Sequence, residues 1–254
     1  MKRSMTPLTT EPHLEDRIEI RRRPDGWPIM YQSWGSLLFI HWLYNAEELA
    51  DLIPKGLSID TFEGNAYVGI TPFTLWNVRP ILTPPLPWLS EFNELNVRTY
   101  VHLDGEPGVY FFSLDANRIL PVLAARNFFH LPYKAAEIEL IREGRWVDYR
   151  AERTEKPRAA FAARWMEDPE IFHAVPNSLE FFLTERYALF TEHEGELYSC
   201  RIHHEAWPLR RAVLEYLDTT LFEADRIPRP TGDPFVIAGG PVHVEVWPLE
   251  KGKP

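Results

Sequence analysis

The chain has 254 residues, enough for one large domain or two small ones, and 45% of them are hydrophobic, enough for a sizeable core. A formal charge of −10 argues against nucleic acid as a partner, because phosphate binding needs a basic face. The single cysteine, Cys200, excludes an internal disulfide and a cysteine-rich metal framework.

The N-terminus lacks the apolar stretch of a secretory signal, and no run approaches the ~18 apolar residues of a membrane span. The expectation is a cytoplasmic protein. Residues 1–30 read as a polar, proline-dotted arm, with Arg21, Arg22 and Arg23 in a solvated turn, followed by one domain over 31–250. Residues 36–44 (SLLFIHWLY) form an apolar run whose length favours a buried strand, interrupted by His41. Asn45 then caps a helix, with Glu48 three residues on to complete a capping box.

Strands are predicted over 57–62 and 66–73, joined as a hairpin by Glu63, Gly64 and Asn65. Prolines at 80, 84, 85 and 87 turn residues 74–93 into an ordered apolar loop, a candidate lid or contact surface. Period-2 alternation marks a strand over 95–103, and residues 109–116 return as its hairpin partner. A helix follows over 118–128. Hairpins are expected at 136–141 with 146–151 and at 187–191 with 197–202, a strand at 159–165 and a short helix at 178–183. A longer helix at 209–221 carries Ala212, Val213, Tyr216 and Leu217 on one face. PVHVEVWPL closes the chain as a strand. Many short antiparallel strands with few helices define an α+β domain on a curved or closed β-barrel or cone, with the helices peripheral.

Candidate chemistry concentrates between residues 94 and 137. Asn96, Arg98, Tyr100 and His102 share one strand face, which either meets solvent or lines a closed barrel. In the second case Arg98 suits a carboxylate, which a guanidinium holds in a bidentate fork. Lys134 stands alone between Lys55 and Lys156 in apolar company, where an ammonium loses charge stabilisation. Strand alternation sets Tyr133 and Lys134 on opposite faces, so only one of them enters a pocket. His203 and His204 are adjacent on a strand and point apart, which does not make a metal site. Glu185 and Arg186 are candidates for a buried ion pair, and Cys200 for a small core residue. No phosphate loop, serine elbow, metal site or cofactor motif is found.

The blocks SWGSLLFIHW, LIPKGLSIDTFEGNAYVGITPF, ELNVRTYV, PGVYFFSLDA, ARNFFHLPYKAAE, SLEFFLTERY and HHEAWPL together resemble the YqjF-like family of uncharacterised bacterial proteins. More remotely, LIPKGLSID and ARNFFHLPYKAAE resemble the acetoacetate decarboxylase superfamily, whose active-site segment carries two adjacent lysines after a proline. There the first lysine forms the Schiff base and the second depresses its pKa. The resemblance sets Pro132 on the proline, Tyr133 on the reactive lysine and Lys134 on its neighbour. Arg126 matches, and Asn127 stands where the decarboxylases carry glutamate.

It therefore implies a decarboxylase-like fold without the nucleophile. A small organic acid or carbonyl compound would be held in an aromatic-lined cavity by Arg98, Tyr100, Arg126, His130 and Tyr133. Two alternatives stay open: a lyase-type enzyme using Lys134 as an imine-forming amine or Tyr133 as acid or base, and an interaction protein using the 74–93 loop. A small-molecule ligand is the expected partner, with neither nucleic acid nor membrane, and a homo-oligomer is compatible with the sequence.

Overall fold

A computed structural model describes residues 11–85, 90–118 and 128–252. The strands are β1 (Met30–Gly35), β2 (Leu37–Tyr44), β3 (Ser58–Ile59), β4 (Ala66–Pro80), β5 (Phe92–Leu103), β6 (Glu106–Ala116), β7 (Tyr133–Glu143), β8 (Trp146–Arg153), β9 (Ala160–Glu167), β10 (Ala188–His193), β11 (Glu196–His203), β12 (Leu209–Thr219), β13 (Phe235–Gly239) and β14 (Val242–Lys251). Short helices sit among them in the described residues: α1 (Leu14–Glu19), α2 (Ala46–Ala50), α3 (Leu179–Thr184) and α4 (Leu221–Ala224). None of the described helices is long and apolar enough to cross a membrane.

The pairings close two hydrogen-bonded circuits. The first runs β1, β14, β11, β10, β6, β5, β4 and back to β1. The second runs β6, β7, β8, β9, β12, β13, β2, β4, β5 and back to β6. Strands β4, β5 and β6 belong to both and form a shared wall. Closure of this kind removes the unpaired edges that open sheets must otherwise protect.

Because strand side chains alternate, the wall has two faces. Ala66, Val68, Ile70, Leu95 and Val97 join Leu38, Ile40, Tyr149, Phe161 and Trp165 in the core of the second circuit. The opposite face carries Phe73, Leu75, Phe92 and Ala116 beside Leu37, Phe39 and Trp207, and Tyr67, Tyr100, Phe111 and Leu114 beside Phe182 and Leu183. A bulge at Phe112 keeps the parity consistent: Val97 pairs with Ser113 but Arg98 with Phe111.

Strand β4 is long because it serves two partners. Residues 66–70 pair with β2 and residues 74–80 with β1, and Ser36 at φ 49° kinks the chain between those two strands. Pro72 falls in the gap between the two registers, where its missing N–H costs least. Thr74–Pro80 is thus strand, which corrects the predicted loop. Prolines interrupt the chain only from Pro80 onward, and Leu86 and Trp88 lie outside the described residues.

Two further expectations are corrected. Phe62 and Asn65 exchange backbone hydrogen bonds across a turn with Glu63 at φ 51° and Gly64 at φ 80°, as a tight hairpin turn requires. Strand β3, however, pairs with β5 and not with β4. Residues 209–219 are strand β12, not helix. Leu214 pairs with Trp165 and Tyr216 with Arg164, so Glu215 is an extra residue in a bulge. The bulge puts Ala212, Leu214 and Leu217 on the core side, spacings of two and three that imitate helical periodicity. Of the predicted helix over 118–128, residues 119–127 lie outside the described residues. The capping box at α2 forms as read: Asn45 accepts from Glu47 N, and Glu48 accepts from Asn45 N at 3.0 Å.

Candidate site on the shared wall

The first-circuit face of the wall is unusually polar for a buried surface. Glu94, Asn96 and Tyr100 on β5 and Thr71 on β4 are all buried, with the half-buried Arg98 between them. His41 on β2 joins them, since β2 pairs His41 with Gly69 and β4 pairs Gly69 with Arg98. A side chain at position 69 would collide with the His41 ring, 2.8 Å from an ideal Cβ, so glycine is what lets the imidazole lie over β4.

Tyr133 enters from β7. In register with Leu114, it turns to the face that Leu114 occupies and donates its hydroxyl to Glu94 Oε2 at 2.7 Å. Burial pushes the Glu94 carboxyl up to about 7, against the hydrogen bonds from Tyr133 and Asn96. Burial and the neighbouring Glu94 hold the Tyr133 phenol well above its usual value, so it acts as a donor and not as a phenolate. A carboxyl near neutrality under a phenol is an arrangement suited to moving a proton.

Lys134 goes the other way. It pairs in register with Asp115 and shares its parity with Ile138 and Leu140, which pack on the core of the second circuit. Asp115 is there bound by Arg153, whose fully buried guanidinium also meets Asp225 at 3.0 Å and Ser113 at 2.9 Å. Alternation alone thus separates Tyr133 from Lys134, and only Tyr133 reaches Glu94.

The remaining predicted residues divide. Tyr100 donates to Leu183 O at 2.8 Å and sits 2.6 Å from His41 Nε2, so it is part of the wall's hydrogen-bonding frame. Arg98 lies over the rings of Phe39 and Tyr100. His130, at φ 52°, stacks on His193 with centroids 3.9 Å apart and contacts Tyr198 beyond it, placing it on the β10–β11 hairpin. Arg126 lies outside the described residues. Glu185 and Arg186 are both buried but do not pair with each other: Glu185 meets Arg21 at 3.3 Å, and Arg186 meets Asp60 at 2.6 Å. The predicted solvated turn is therefore partly recruited, with Arg23 also paired to Glu245. His203 and His204 bind separate backbone carbonyls, and Cys200 is buried.

Glu94, His41 and Thr71 were not singled out from sequence. Glu94 shares the parity of Asn96 and Arg98, and His41 is the one polar break in an apolar run, which are the signals that point to them.

An open cleft of about 840 Å3 lies elsewhere, lined by Tyr31, Ser33, Arg79, His203, His243 and Glu245 among others. Several of its polar groups already have partners: Arg23 with Glu245, Ser33 with His243 at 2.9 Å, and Arg79 with Thr83 O at 3.3 Å. The wall, by contrast, holds buried polar atoms with none, and it is the better candidate.

The two-circuit, mostly antiparallel sheet has an acetoacetate-decarboxylase-like fold. Solved structures agree. The enduracididine biosynthesis enzyme MppR complexed with pyruvate matches with a TM-score of 0.62 at 11% identity, over 89% of this chain and 91% of that one. The acetoacetate decarboxylase of Legionella pneumophila matches with a TM-score of 0.61 at 12% identity, over 98% of both chains. Within that fold the chain belongs to the DUF2071 family, described as an uncharacterized conserved protein, whose model matches residues 31–242. It is 42% identical over 228 residues to the uncharacterized protein YqjF of Bacillus subtilis (strain 168), covering 90% of this chain and 94% of that one.

Proposed function

We propose that this protein binds a small organic acid or carbonyl compound against the wall formed by Glu94, Asn96, Arg98 and Tyr133, and forms no imine with it. The observation that carries this reading is the Tyr133 hydroxyl on the buried Glu94 carboxyl, on the same strand face as Arg98. Arg98 supplies a cation for a carboxylate, and the aromatic neighbours Phe39, Tyr100 and Phe111 supply apolar walls. MppR, which shares the fold, is seen with pyruvate, and that supports a small acid as the class of guest.

Lys134, next to Asp115 on the far face, is not the amine that would attack a carbonyl held there. The raised Glu94 carboxyl and its phenol partner favour a second, chemical reading: proton transfer at the carbon beside a carbonyl, with Arg98 holding the acid.

Two measurements test the proposal together. Borohydride added during incubation with acetoacetate or pyruvate leaves the intact mass unchanged, while ligand-observed NMR detects binding that Arg98→Met abolishes. A reduced adduct on Lys134 refutes the non-covalent reading. Binding that survives Arg98→Met refutes the placement of the carboxylate.

A further inference from the structure

Among the described residues, five buried polar atoms on and beside the shared wall have no hydrogen-bond partner; one, His102 Nδ1, lies towards the end of β5, and four lie together: His41 Nδ1, Thr71 Oγ1, Asn96 Oδ1 and Arg98 Nε. They are neighbours. His41 pairs with Gly69, Gly69 with Arg98, and Thr71 with Asn96. Strand spacing of ~4.8 Å and a two-residue step of ~6.7 Å place them in a patch of about 10 by 7 Å. That is the footprint of an organic acid of a few carbons. Leaving buried donors and acceptors unmade is costly, so such a cluster marks a surface built to meet a guest.

The sense of each atom follows from its surroundings. The Tyr100 hydroxyl gives its only proton to Leu183 O, so it accepts from His41 Nε2. Burial, with Arg98 nearby, holds the imidazole well below its usual pKa and hence neutral. The ring proton is then on Nε2, and Nδ1 is an acceptor. Asn96 hydrogen-bonds the Glu94 carboxyl, which uses its amide N–H and leaves Oδ1 as an acceptor. Arg98 Nε is a donor, and the Thr71 hydroxyl works in either sense.

A guest that satisfies the patch must bring one acceptor, for Arg98, and two donors, for His41 and Asn96. A plain keto acid at neutral pH brings acceptors only. We infer that the wall is built for a hydroxylated small carboxylic acid, its carboxylate on Arg98 and its hydroxyls on His41 Nδ1 and Asn96 Oδ1. An ammonium donor fits less well, because it would lie in the field of the Arg98 cation. This inference rests on the proposed acid-binding reading and narrows its ligand class.

The three-carbon series glycerate, lactate and pyruvate carries two, one and no hydroxyl donors on one carboxylate, and serine tests the ammonium. Dissociation constants at pH 7.5 should rise about tenfold at each step from glycerate to pyruvate, with serine weaker than glycerate. Asn96→Leu should collapse one step, read as the ratio of dissociation constants between successive members of the series measured in the same variant. His41→Phe, which removes the other acceptor, should collapse the other step and serves if Asn96→Leu does not fold. Equal affinity across the series, a preference for pyruvate, or tight serine binding overturns the inference and leaves the acid-binding reading standing. Failure of all three acids to bind overturns both. An unchanged ranking in the folded variants overturns the assignment to this patch.

Discussion

Replacing Glu94 by glutamine gives a sharp test of how the wall is built. The carboxyl sits at about 7 in the fold against an ordinary 4.5. Above pH 4.5 the unfolded chain releases this proton, while the folded protein keeps it until about pH 7. Stability therefore falls as pH rises through that window and levels off above it. The gap is worth on the order of 3 kcal/mol. Glutamine does not titrate and can still accept from Tyr133.

The variant and the parent should accordingly match near pH 4.5, with the variant more stable by on the order of 3 kcal/mol at pH 8. At ~2–4 °C per kcal/mol this is a difference in melting temperature of about 6–12 °C. Asp115, also pushed up by burial, to about 6, titrates in both proteins and cancels in the comparison. Urea titrations of the pair across pH 4.5–8 read the effect directly. A stability difference that stays flat with pH, or runs the other way, refutes the burial of an uncompensated carboxyl at this position.

Two further perturbations probe the two faces of the wall. Arg153→Met strands Asp115 and Asp225 without their buried cation and should cost about 3–5 kcal/mol near neutral pH, less at pH 5, where Asp115 takes up a proton. A denaturation midpoint that moves equally at both pH values would contradict that account. Gly69→Ala drives a methyl into the His41 ring and should cost about 1–3 kcal/mol while breaking the bond to Tyr100, visible as a shift of the His41 ring nitrogens in NMR. An unshifted His41 signal would mean that the ring does not rest on β4.

Much of the fold was legible because its signals are local. Alternation over residues 95–103 and the capping box at Asn45 depend on near neighbours in sequence, and both appear as read. What misled was context carried by partner strands. The bulge at Glu215 shifts β12 from a period of two to spacings that resemble a helix, and only its pairing with β9 explains it. Strand β3 leaves its expected hairpin because β5 offers it a partner. The site shows the same division. The opposition of Tyr133 and Lys134 follows from alternation, and the structure keeps it. That Tyr133 would meet Glu94, or that His41 would lie over Gly69, depends on which strands become neighbours. No spacing in the chain encodes that.

The shared wall has a consequence for how such a protein can change. Each residue of β5 stands back to back with one on the other circuit, so Asn96 and Arg98 are separated from the aliphatic core only by Leu95, Val97 and Thr99. Polar chemistry on one side is mounted on close packing on the other, with no solvent-facing layer between to absorb a change. The polar face can then be reshaped from behind, by exchanging a methyl group at Val97 or Ile70, without touching any of its polar atoms. The amides of β5 should likewise be among the slowest in the molecule to exchange with solvent, since exposing them means opening both circuits.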